Sequence, residues 1–426
     1  MNSMMGQDMT MQNLFTEREQ RIRDVIALKT PDRVPLIFYQ MFWAARHAGM
    51  TCRQAMYDYA GFAHGQTQAA LEFKPDALMP MQLAITVGKV MELIDYKQLQ
   101  WPGHAGLNED VSYQYMDREY MTSAEYAEFC LNPSGFWMNK YLPRIAGGFE
   151  VFGKFPPYPT VYHTRNVAHL AALAQPGVKE GLNRLIEAAE EAQRMLDATK
   201  ANIAELNSLG FPTPFIGTSH APFDVVADYM RGSKGAMLDM FRNRDKLLET
   251  IDVVTRLIAS PILKVAASMP GDALKIVFIP LHWGLGGFMS PAQFETFYWP
   301  SLRIVMMKFI DAGLTPMPFW EGDCTARLET IADIPGGKCI YQFESTDLVK
   351  AKEILGGTVC IRGGVPASLL IAGTPDGVRA QCKKIIDVVG KDGGLIMEAS
   401  VGIPDEAKAE NVKAMFEFTQ EYGRYG

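Results

Sequence analysis

The sequence predicts an α/β fold, a (βα)8 TIM barrel with a mainly helical excursion capping one end. Three observations lead there. Eight short apolar or β-branched runs each suit a buried strand, and amphipathic helical patterns separate most of them. The first run, VPLIFYQ (34–40), continues as MFWAAR without the Gly-rich phosphate turn that an open doubly wound sheet would place there.

In chain order, the helix TEREQRIRDVIALK (16–29) stops at Pro31-Asp32-Arg33 and leads into VPLIFYQ. DALMPM (76–81) follows a helix around GFAHGQTQAALEF. TPFIGTS (213–219), LKIVFIPLHW (274–283), LTPMPFWEG (314–322), KCIYQFE (338–344), TVCIRGG (358–364) and GLIMEAS (394–400) complete the eight. Between them lie helical patterns such as KLLETIDVVTRLIASPI (246–262) and DGVRAQCKKIIDVVG (376–390). Residues 97–212 break the rhythm with the Pro-rich GKFPPYPTVYH and one long helix through 181–210. Leu182, Leu185, Ile186, Ala189, Ala192, Met195 and Leu196 share a stripe of that helix. Residues 1–20 are expected to form a flexible N-terminal segment, and 21–426 a single barrel domain with 97–212 as its cap.

Bulk composition narrows the function classes. The net charge is −7 and no basic face collects, which argues against nucleic acid and anionic membrane as partners. No apolar run reaches the ~18–20 residues that span a bilayer. The polar, Met-rich start does not read as a secretion leader. Six cysteines without a C-x-x-C pair suit a reducing compartment, so a cytoplasmic protein is expected.

Active sites of such barrels form at the C-terminal ends of the strands. The candidates there are Tyr39, Gln40, Gln82, His220, His282, Trp283, Trp320, Glu321, Asp323, Cys324, Gln342, Glu344, Arg362 and Glu398. WEGDC (320–324) is the richest tip, with two carboxylates and a thiol. Glu321, His282 and Asp323 are expected to be catalytic. Tyr39, Gln82, His220, Trp283, Trp320, Gln342, Glu344 and Arg362 are expected to bind substrate. Glu321, Cys324, His282 and Glu398 form a candidate ligand set for zinc or another divalent ion. A metal or a protonated carboxyl there would assist departure of an ether oxygen or an amine. Each residue also has a bland reading: a solvated acidic loop, a satisfied core histidine, or core packing.

RIRDVIALKTPDRVPL (21–36), GTSHAPFDVVADYMRGSKGAMLDMFRNRDKLLETID (217–252), GFMSPAQFETFYWPSLRIVM (287–306) and the stretch from IYQFESTDLVK to GTPDGV (340–378) together resemble the uroporphyrinogen decarboxylase superfamily. The resemblance implies a (βα)8 barrel and two known activities, decarboxylation of uroporphyrinogen and corrinoid-linked methyl transfer. The decarboxylases carry an Arg-rich motif after the first strand, where this chain has Arg46 alone. Their aspartate and histidine positions fall here at Leu83 and Val401. The thiol-directed methyltransferases hold zinc with His and Cys where this chain has Phe319, Glu321 and Val401. The chain therefore resembles the corrinoid-dependent methyltransferase branch more, without that branch's known zinc site. This implies a small methylated substrate of methoxy or methylamine type and a corrinoid that a partner protein brings or that binds transiently, since no D-x-H-x-x-G segment occurs in the chain. A decarboxylase or lyase, and a non-catalytic member that has lost its ligands, stay open as alternatives. So does the choice between monomer and homodimer.

Overall fold

The computed structural model describes residues 2–104, 106–154 and 163–426. Eight parallel strands build the centre: β1 (Ile37–Phe38), β2 (Ala77–Leu78), β3 (Phe215–Thr218), β4 (Ile276–Leu281), β5 (Thr315–Trp320), β6 (Ile340–Phe343), β7 (Cys360–Val365) and β8 (Leu395–Ala399). The last six form one sheet in sequence order and β1 pairs with β2. Two seams join the pieces into the (βα)8 arrangement. Met397 N–H donates to Pro35 O at 2.9 Å between β8 and the approach to β1, and Leu78 N–H donates to Pro212 O at 2.9 Å between β2 and the approach to β3.

Strand alternation sorts the core into two layers. Ile37, Ile276, Met317, Ile340, Cys360 and Ile396 belong to one buried cluster inside the barrel. Their chain neighbours Phe38, Val277, Tyr341, Ile361 and Met397 belong to another, packed under the helices. β5 shows the consequence for the mouth. Met317 and Phe319 face inward, so Glu321 is the next inward position, just past the strand end. Gly322 makes the turn that follows. Its φ of +85° favours glycine, and a Cβ there would lie 2.7 Å from Leu285 Cδ1.

The opposite end is pinned by a buried carboxylate. Asp76 accepts from Leu36 N–H at 2.9 Å and pairs with Arg21 at 2.5 Å and Arg33 at 2.8 Å. One group thus ties the N-terminal helix to β1 and β2. That helix runs Asn2–Ile26, so the segment expected to be flexible is helical. Arg18 donates to Gly210 O at 2.6 Å and stacks 4.3 Å from the Phe211 ring, and this capture holds it to the barrel.

The interval between β2 and β3 contains short helical turns and the long helix Val178–Ser208. Tyr120 and Met121 N–H both donate to Met230 O, at 2.8 and 2.7 Å, fixing this interval beside the helical turn after β3. Most of its Pro-rich stretch, 155–162, lies outside the described residues.

Candidate active site

The chemistry collects where β3, β4 and β5 end. After β3, Pro222 starts a helix that passes at once into a π-helical turn, Val225–Arg231. The short helix carries Asp224 and the wider turn, a form frequent at functional sites, carries Asp228 toward the end of β4. His282 Nδ1 lies 2.7 Å from Asp228 Oδ2, and its Nε2 lies 3.5 Å from Glu321 Oε1. Trp283 Nε1–H donates to the other Asp228 oxygen at 2.5 Å. Asp224, fully buried, accepts from His282 N–H at 2.9 Å and from the Tyr298 hydroxyl at 2.7 Å. It thereby fixes the backbone from which the imidazole projects. Glu321 and His282 keep 37% and 33% of their side-chain exposure, so the pair is reachable from solvent.

The charges follow from this geometry. Burial pulls the His282 pKa down, but hydrogen bonds to Asp228 and Glu321 outweigh it and carry it up to about 11. Burial, then the neighbouring Asp228 charge, pushes the Asp224 carboxyl well above its usual range. His220 behaves oppositely. Burial, then His282, lowers it to about 4, so it is neutral, and its Nδ1 has no protein partner. Its ring meets that of Tyr229 edge to face at 5.4 Å and does not orient Asp224.

Beneath the pair lies an aromatic floor. Tyr39 and Phe278 have ring centroids 5.5 Å apart, and Phe278 and Phe319 6.2 Å. They keep 8, 6 and 5% exposure, whereas Ile276, Ile340 and Cys360 below them keep none, so the rings are the last layer open to the mouth. Gln342, paired in register with Phe319, is fully buried beside this floor, and its Oε1 has no partner.

The other sequence candidates have different positions. Arg362 and Glu398 are both wholly buried in the barrel interior, where the guanidinium contacts the carboxylate through Nε and Nη2. Glu398 Oε1 also accepts from Tyr39 N–H at 3.0 Å. Each already engages the other, so neither offers a free group to a substrate or a metal. Cys324 has no exposure, its backbone N–H donates to Thr346 Oγ1 at 3.0 Å, and burial pushes its thiol up to about 12. The nominated metal set therefore does not converge. Only His282 and Glu321 meet, and among the described residues no group of three His, Cys, Asp or Glu could hold a metal ion. Zinc does not fit the residues as arranged.

Trp320 packs outward, 5.8 Å from Tyr341 and 6.4 Å from both Phe294 and Trp299, because alternation puts it opposite to Phe319. Gln82 is buried against Asn202 of the long helix. Asp323 accepts from Thr325 N–H at 2.8 Å and caps the next turn, and Glu344 accepts from Gly322 N–H. These two shape the Glu321 turn from outside. Asp228 and Tyr298 were missed as site residues. Part of the signal lies in HAPFDVVADYM, where a Pro-started helix after a strand sets two aspartates four apart, but the widened turn that aims Asp228 is not marked there.

Comparisons agree with this architecture. The model of the family described as "Uroporphyrinogen decarboxylase (URO-D)" matches residues 158–422. Curated relatives named uroporphyrinogen decarboxylase include one from Syntrophotalea carbinolica, 25% identical over 46% of this chain and 57% of its own length. Another, from Idiomarina loihiensis, is 24% identical over 61% of this chain and 68% of its own. The chain thus spans somewhat more than half the length of these relatives. Among solved structures, a methyltransferase from Methanosarcina mazei superposes with a TM-score of 0.58 at 15% identity. It covers 95% of this chain and 98% of its own, a likeness of fold. With a match running through every strand from β3 to β8, the chain belongs to the uroporphyrinogen decarboxylase (URO-D) family.

Proposed function

We propose that this protein is a methyltransferase that moves a methyl group between a small methylated compound and a corrinoid carried by a separate protein. The observation that carries this reading is His282, held between Asp228 and Glu321 above the ring floor of Tyr39, Phe278 and Phe319. Methyl removal from an ether or amine needs little more from the protein than an apolar seat, exclusion of water and charge control at the departing heteroatom. The rings supply the seat. A phenol or alkylamine titrates at about 10, close to the value of about 11 to which its carboxylate partners carry His282. Its partners thus keep His282 protonated, able to give a proton through Nε2 to such a departing atom. Asp228 keeps the ring oriented and compensates its charge. The reduced corrinoid supplies the nucleophile when its carrier docks at the mouth.

A second reading, decarboxylation, is favoured by the names of the relatives. A polycarboxylate substrate needs cations at the mouth, and the interior arginine, Arg362, is fully buried against Glu398. The test is spectroscopic. Reduced corrinoid carrier, mixed with the protein and methoxylated or methylated-amine donors, should convert to its methylated form. Glu321→Gln should slow the conversion roughly 10²–10⁴-fold. Release of CO2 from uroporphyrinogen without methyl transfer would overturn the proposal in favour of the decarboxylase. Inertness in both assays would overturn it in favour of a non-catalytic role.

A further inference from the structure

We infer that the barrel mouth is a binding site for a protonated N-methyl ammonium ion, with Glu321 and Asp228 as counter-charges, the Tyr39, Phe278 and Phe319 rings as its wall, and the Gln342 side-chain oxygen as acceptor for its N–H. What becomes of the ligand rests on the methyl-transfer reading, but the binding itself does not.

Charge distribution is the first support. The connections after β4–β8 up to the following helices, residues 282–290, 321–324, 344–347, 366 and 400–408, contain no arginine and one lysine, Lys408, whose Nζ donates to Gly373 O at 3.5 Å. They contain six carboxylates: Glu321, Asp323, Glu344, Asp347, Asp405 and Glu406. Of the arginines next to them, Arg46 lies 3.9 Å from Glu406 and offsets that one charge, and the others are engaged elsewhere. Arg327 donates to Met289 O at 2.5 Å and lies 4.7 Å over the Phe294 ring, and Arg231 pairs with Asp239 at 2.7 Å. The single His282 cation sits between two carboxylates, so the opening is net negative and repels an anionic substrate.

Gln342 is the second, independent support. It has no exposure, alternation points it to the lumen beside Phe319, and its Oε1 is unpartnered. A buried acceptor without a donor is a desolvation cost, which a ligand N–H would recover. An N-methyl ammonium also matches the ring floor, since its methyls are apolar while its charge is attracted to ring faces. The chemistry balances with this form. The methyl departs from nitrogen and the C–N electron pair stays there, so the leaving group is a neutral amine that keeps its proton. The methyl passes to the nucleophile that the partner's corrinoid provides. Carboxylates that favour the ammonium form thus also favour the better leaving group.

Calorimetric titration tests the site without any corrinoid. Trimethylammonium chloride at neutral pH should bind saturably, and tert-butanol, its uncharged match in shape, at least about tenfold more weakly. Glu321→Gln should reduce trimethylammonium affinity about tenfold or more. Gln342→Met, with circular dichroism checking its fold, should weaken trimethylammonium but not tetramethylammonium, which has no N–H. Equal binding of tert-butanol, or no saturable trimethylammonium binding by the unaltered protein, overturns the inference. Methyl transfer from anisole without ammonium binding overturns it and leaves the methyltransferase reading intact. Ammonium binding without methyl transfer supports the site and overturns that reading instead.

Discussion

The imidazole of His282 donates through Nδ1 to Asp228 Oδ2 at 2.7 Å, so a strand end and the π-helical turn after the preceding strand share one proton and two charges. Asp228→Asn should remove the larger of the two bonds that hold His282 protonated. In the unaltered protein the His282 ring signal should show no titration between about pH 5 and pH 9, and in the variant it should titrate toward the ordinary value of about 6.5. The stability consequence has a definite sign. A pKa raised in the folded state contributes fully below about 6.5 and is lost as pH rises through about 11. Urea denaturation at about pH 6, 8 and 10 should show a steady decline for the unaltered protein and a flatter one for the variant. Parallel profiles would sink the assignment.

Glu321 and Asp323 share one tip but not one task. Glu321→Gln should cost roughly 10²–10⁴-fold in kcat/KM. Asp323→Asn should cost less than about tenfold, because that carboxylate serves the Thr325 backbone. Steady-state kinetics of both variants decides the matter, and an equal loss would mean that the turn, not the charge at position 321, is what the reaction needs.

Arg362 and Glu398 form an ion pair with no exposure on either side. Arg362→Met should destabilise by about 3–5 kcal/mol, and adding Glu398→Met should recover much of it, because the lone carboxylate is worse than no charge at all. Burial already lifts Glu398 to about 7 against the pull of Arg362. The single variant should therefore lose less stability near pH 5, where the carboxyl takes up a proton, than near pH 8. Urea midpoints at both pH values check this. A double variant no better than the single one would contradict it.

The thiols should be quiet. Five of the six cysteines are buried and only Cys130 is half-open, so Ellman's reagent should find one fast-reacting thiol in the native protein. Cys324→Ser should leave zinc content unchanged at equilibrium dialysis. Loss of a stoichiometric zinc in that variant would restore the metal set that the geometry separates.

Much of this site is legible in the sequence. IVFIPLH and PMPFWEG each alternate toward an inward-facing polar residue at the tip, and this period of two places His282 and Glu321 at one rim. The same period would have sent Trp320 to the helix layer, since neighbours on a strand face opposite ways, and there its ring meets Tyr341 and Trp299. Asp228 was harder to see. An α-helix and a π-helical turn present different residues to the barrel, and nothing in VVADYMR marks the extra residue in the turn.

By itself the sequence determined the barrel, its eight strands and the acidic, cation-poor character of its connections, because hydrophobic period and charge are local properties of the chain. Only the tertiary structure decided which carboxylates matter. Glu398 is separated from Glu321 by 77 residues and faces the same lumen, yet one is sealed against Arg362 and the other meets His282 at the surface. Depth along the barrel axis and the choice of ionic partner are set by strand register and by what the neighbouring strands supply, which no pattern within one strand encodes.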